Sequence, residues 1–101
     1  MDLYQAEWCP HSHRIRQRLT ELGVDFCARQ VAAASDERQE LMEIAGTTAI
    51  PVLVAEDGMP YPGEDAIIEY LDRFHEPPDS LEHRAKAREE VPTFVEVREA
   101  A

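Results

Sequence analysis

At 101 residues the chain is long enough for one domain with a modest core and too short for two. Its 44% hydrophobic and 31% charged residues suit an ordinary soluble globular protein. A formal net charge of −11 argues against nucleic acid or an anionic membrane as a general partner.

The strand-like pattern begins at Met1, which leaves no room for a signal segment. No apolar run approaches the roughly 20 residues that span a bilayer, so a cytoplasmic, reducing setting is expected. Two cysteines, Cys9 and Cys27, cannot support a disulfide framework.

Residues 1–5 read as a short strand that runs into a loop at Ala6-Glu7. From Pro10 to Leu22, Ile15, Leu19 and Leu22 recur at helical spacing and Gly23 closes the helix, with Arg14, Arg16 and Arg18 mostly on its solvent side. Residues 25–31 alternate as a strand, with Cys27 in the middle as a small buried hydrophobe. Ser35 is the expected N-cap of a second helix over residues 36–45, with Leu41 and Ile44 inward and Gly46 at its end.

Residues 50–54 (Ile-Pro-Val-Leu-Val) read as a buried strand, and Glu56-Asp57-Gly58 as the turn of a hairpin returning over Met59 to Tyr61. Pro60 and Pro62 place that strand at a sheet edge. A third helix is predicted from about Gly63 to Phe74, with Ala66, Ile67, Tyr70, Leu71 and Phe74 available to the core. Pro77-Pro78 breaks it, Ser80 to Glu90 follows as a polar, solvated helix, and a short tail begins at Pro92. The order βαβ then ββα gives a four-stranded mixed sheet with helices on both faces, plus a C-terminal helix. The expected division is residues 1–75 as the α/β unit and 76–101 as an extension or tail.

Chemistry concentrates at Trp8-Cys9-Pro10-His11-Ser12-His13. Cys9 falls where a strand ends and a helix begins, where free backbone N–H groups and the helix dipole favour a thiolate. Pro10 suits the first helical turn, because its missing N–H has no partner there anyway. His11 or Arg14 is the expected cation beside the thiolate, and Glu7 opposes it. Cys9, His11 and His13 point to different helix faces, and no second Cys/His cluster supports a metal site. His13, His75 and His83 read as surface histidines, and Trp8 as a packing residue beside the site.

Over roughly residues 2–75 the chain resembles the glutaredoxins and the related N-terminal domain of glutathione transferases, both of the thioredoxin fold. The resemblance rests on Cys9-Pro10-His11-Ser12 after the first strand, Thr48-Ala49-Ile50-Pro51 before the third, and Gly63-Glu64-Asp65 opening the third helix. It implies that Pro51 is cis and packed beside the active cysteine, and that the backbone of Ile50 pairs with the cysteinyl part of glutathione like an added strand. It implies a site for the γ-glutamyl group at the backbone N–H of Glu64 and the carboxylate of Asp65. The glycine carboxylate falls to Arg38, thirteen residues before Pro51. Pro10 and His11 complete the expected binding residues.

Three departures from the family pattern bear on mechanism. Ser12 replaces the second cysteine, Ala6 stands where a lysine is frequent, and His11 replaces a tyrosine. The resemblance therefore implies a monothiol thiol transferase: Cys9 as nucleophile, Ser12 as hydrogen-bond donor to its thiolate, and glutathione or a similar low-molecular-weight thiol as co-substrate. Glutathionylated proteins or small disulfides are the expected partners and a monomer the expected state. Two alternatives stay open: a non-catalytic glutathione-binding module, and a glutathione-ligated iron–sulfur cluster bridging two Cys9 residues in a dimer.

Overall fold

The structure is a computed structural model and describes residues 1–87. The expected end of the last helix at Glu90 and the tail from Pro92 lie outside the described residues. The elements run β1 (Asp2–Gln5), α1 (Pro10–Glu21), β2 (Cys27–Gln30), α2 (Gln39–Ala45), β3 (Val52–Val54), β4 (Pro60–Pro62), α3 (Glu64–Leu71) and α4 (Ser80–Lys86). The strands form one sheet in the order β2-β1-β3-β4. β1 pairs parallel with β2 and antiparallel with β3, and β4 returns antiparallel at the edge. The two prolines of β4 are tolerated there because an edge strand needs only half its ladder.

Strand alternation divides the core between the two faces. Leu3 and Leu53, opposite one another in register, pack with Ile15, Leu19 and Leu22 from the α1 side and Ile67 and Leu71 of α3. Tyr4 and Val52, also paired, face the other way and meet Leu41 of α2. Tyr70 stacks on Tyr61 at 4.3 Å and meets Phe74 edge-on at 5.4 Å, which ties α3 to the β4 edge.

Several local expectations are corrected. Ser35 caps no α-helix: Ser35–Glu37 is a single 3-10 turn, and Arg38 (φ −93°, ψ 57°) interrupts the chain before α2 starts at Gln39. Helix α2 is therefore short, and Ile44 lies exposed on its outer face. Cys27 is exposed, because every residue of β2 lies on an uncovered edge. The helix after Pro77-Pro78 is not merely solvated. Buried Glu21 of α1 accepts from Gln17 at 3.1 Å, Arg18 at 3.0 Å and Arg84 of α4 at 2.8 Å, while Gln17 also donates to the His83 carbonyl. Among the described residues no helix is long and apolar enough to cross a membrane.

Candidate active site

Cys9 is the N-cap residue of α1, with extended backbone (φ −84°, ψ 117°). Its own N–H donates to the Ala6 carbonyl at 3.1 Å and its carbonyl accepts from His13 at 3.0 Å, so the chain turns sharply into the helix. The Ser12 backbone N–H donates to Cys9 Sγ at 3.4 Å, a sulfur in the place where a capping oxygen commonly sits. Burial pushes the Cys9 thiol up; the Ser12 hydroxyl, the backbone N–H groups of Ser12 and His11 and the charge of Arg16 outweigh it. The net effect is a thiol below its ordinary value.

Ser12 is fully buried one turn behind the cysteine, and its Oγ has no hydrogen-bond partner of ordinary geometry among the described residues. The hydroxyl is nonetheless among the groups that favour the Cys9 thiolate.

A second junction faces the first turn of α1. The Ile50–Pro51 peptide bond is cis, and the Pro51 carbonyl accepts the Gly63 N–H at 2.9 Å. Gly63 has φ +90°, a conformation that glycine adopts freely, and it turns β4 into α3. Among the described residues no side chain caps the first turn of α3, where Glu64 and Asp65 stand. His11, Ile50, Pro51, Pro62, Gly63, Glu64, Asp65 and Ala66 line a cleft of about 400 Å³.

The Glu64 carboxylate is gripped by Arg14, through Nε and at 2.8 Å through Nη2, and by His11 Nδ1 at 2.6 Å. Arg14 first and His11 second hold its carboxyl at about 2, far below the usual carboxylate range. This latch joins the starts of α1 and α3 across the cleft.

Of the residues marked by the sequence, His11, Ile50, Pro51, Glu64 and Asp65 come together in this cleft, and Cys9, Pro10 and Ser12 form the adjoining turn of α1. Arg38 is not among the cleft's lining residues. Its buried guanidinium donates to the carbonyls of Ala32 at 2.8 Å, Thr48 at 2.9 Å and Ala33 at 3.1 Å. Trp8 does not pack beside the site but is 64% exposed.

The cations are also redistributed. Arg14, coupled electrostatically to Cys9 as expected, is held on Glu64 together with His11, and Arg16, only 17% exposed and not on the solvent side, is a further cation that lowers the Cys9 thiol. No helical spacing marks Arg16; the signal is buried Gln5 at the end of β1, a polar side chain that needs a partner.

A sheet in this order, helices on both faces and a cysteine capping the first helix define a thioredoxin-like fold. The glutaredoxin family profile matches residues 2–59, more than half of the chain, and the chain belongs to that family. It is 29% identical over 51 residues to glutaredoxin 3 of Escherichia coli, covering 50% of this chain and 61% of that protein. To a glutaredoxin of Pseudomonas aeruginosa it is 37% identical over 49 residues, 48% of this chain and 58% of that one. The match thus spans about three fifths of these curated relatives. Among solved structures, a rice glutathione S-transferase in complex with glutathione is similar at 26% identity and a TM-score of 0.64, over 86% of this chain and 42% of that one.

Proposed function

We propose that the protein is a glutathione-dependent thiol transferase that works through Cys9 alone. The observation that carries this reading is the placement of Cys9 Sγ at the N-cap of α1, beneath the Ser12 N–H, with its thiol below the ordinary value. The Cys9 thiolate attacks the glutathione-side sulfur of a mixed disulfide, forms Cys9–S–SG and expels the partner as a thiolate that takes up a proton. A second glutathione thiolate then attacks the glutathione sulfur of that intermediate, giving oxidised glutathione and restoring the Cys9 thiolate. One protein thiol suffices, and Ser12 is consistent with this. Exposed Cys27 has no part in it.

Glutathione is favoured as the thiol by the cleft beside α1 and by the glutathione bound in the similar rice transferase. The N–H groups of the α3 first turn, uncapped by side chains among the described residues, suit the γ-glutamyl carboxylate, and Asp65 suits its ammonium. Ile50, before cis Pro51, offers backbone to the cysteinyl part. Arg38 serves this reading through the backbone, by holding Thr48 three residues before Pro51.

The test is a deglutathionylation assay with glutathione and other low-molecular-weight thiols as reductant, run on wild type, Cys9→Ser and Cys27→Ser. Turnover with glutathione should vanish in Cys9→Ser and stay nearly intact in Cys27→Ser. Glutathione binding without turnover in the wild type would instead establish a binding module.

A further inference from the structure

The segment that delivers Cys9 to its helix, Gln5-Ala6-Glu7-Trp8, carries no cation of its own. Arg16, two turns along α1, grips three consecutive residues of it. Nη1 donates to Gln5 Oε1 and, at 3.4 Å, to the Ala6 carbonyl, while Nη2 meets the Glu7 carboxylate at 3.3 Å. The same Ala6 carbonyl accepts the Cys9 backbone N–H at 3.1 Å. Gln5 is 2% exposed, and its amide nitrogen donates to Gln30 Oε1 at 3.0 Å. A relay from β2 through β1 to α1 therefore fixes the guanidinium.

We propose that Arg16 is a positioning residue for Cys9: it pins the 5–7 segment from which the thiol is presented and keeps a positive charge beside the sulfur. This rests on Cys9 being the reacting thiol.

The charged and polar groups around Cys9 are Ser12, His11, His13 and Arg16 on its own helix, Glu7 on the preceding segment, and the Arg14–Glu64 pair spanning α1 and α3. Arg14 is also electrostatically coupled to Cys9, but both arms of its fork lie on the Glu64 carboxylate, which His11 shares and whose negative charge offsets the field of Arg14 at the thiolate. Two of the three acceptors of Arg16 on this segment, the Gln5 amide and the Ala6 carbonyl, are neutral. Its one counter-charge among the described residues, Glu7, is 86% exposed and screened by water. A covered cation with little local cancellation acts over a longer distance than an exposed, paired one. The lowered Cys9 thiol, with Arg16 among its causes, agrees with that geometry.

The test is the pH dependence of iodoacetamide alkylation of Cys9 in the full chain carrying Cys27→Ser. Arg16→Gln should move the midpoint upward by about half to one pH unit, so that alkylation at pH 7 slows about threefold to tenfold while the high-pH plateau is unchanged. Arg16→Lys should recover about half of the loss. Glu7→Gln, at an 86% exposed side chain, should move the midpoint down, and less so when Arg16→Gln is also present. A folded Arg16→Gln protein with the wild-type profile would overturn the proposal, whatever its thermal stability. If Arg16→Gln does not fold, Glu7→Gln decides alone: an unchanged or raised midpoint sinks the idea. Because alkylation reads the thiol and not turnover, an Arg16-dependent profile in a chain without transferase activity would refute the proposed function and leave this inference standing.

Discussion

Ser12 donates its backbone N–H to Cys9 Sγ at 3.4 Å, yet its own hydroxyl, fully buried one turn behind the sulfur, has no hydrogen-bond partner of ordinary geometry among the described residues. A buried hydroxyl without a partner costs about 1–3 kcal/mol of stability, so a role in the thiol chemistry explains its presence better than packing does. Ser12→Ala should leave thermal stability unchanged or slightly raised. It should also move the Cys9 alkylation midpoint upward, slowing alkylation at pH 7 about threefold. A clear loss of stability with an unchanged profile would make Ser12 a structural residue.

The latch between α1 and α3 sets a pH dependence. The Glu64 carboxyl is near 2 in the folded chain against an ordinary 4.5, with Arg14 the main cause. A depressed folded-state value stabilises the fold above the unfolded value and loses that stabilisation as pH falls towards the folded one. Chemical denaturation should therefore show stability declining between about pH 4.5 and 2, and Glu64→Gln should flatten that part of the curve. If the decline is equally steep in Glu64→Gln, other carboxylates are responsible.

Arg38 joins the carbonyls of Ala32, Ala33 and Thr48 with one planar fork. Removing it leaves three acceptors to find new partners around a site only 8% exposed. Arg38→Ala should cost about 2–3 kcal/mol by urea unfolding, with Arg38→Lys recovering little, since an ammonium cannot copy the fork. An undiminished stability together with a raised KM for glutathione would return Arg38 to direct ligand binding.

Glu21 holds α4 onto α1 through Arg84 while also accepting from Arg18 and Gln17. Its carboxyl is buried, a cost that these hydrogen bonds outweigh, so it stays below its ordinary value. Glu21→Ala should destabilise by about 1–3 kcal/mol. It should also raise hydrogen exchange in residues 80–86 more than in the sheet. Equal protection of α4 in wild type and variant would show that the helix is retained by other contacts.

The sequence by itself determined the order of elements, the thioredoxin-like fold and the start of α1 at Cys9. Those features depend on local periodicity, on prolines and glycines with few allowed conformations, and on alternation such as Leu3 against Tyr4. The resemblance to the glutaredoxins also marked His11, Ile50, Pro51, Glu64 and Asp65, which the fold gathers in one cleft. Tertiary structure alone decided the partners of the charged side chains. Arg14, Arg16 and Arg18 look alike along the helix, but Arg14 reaches Glu64 on α3, Arg16 reaches back to Gln5, and Arg18 joins Glu21 and Glu76. Long flexible side chains carry no periodicity that names their partner, and a guanidinium settles on whichever acceptors the packed backbone leaves within reach. For the same reason Arg38 went to carbonyls that exist as a cluster only after the loop has folded.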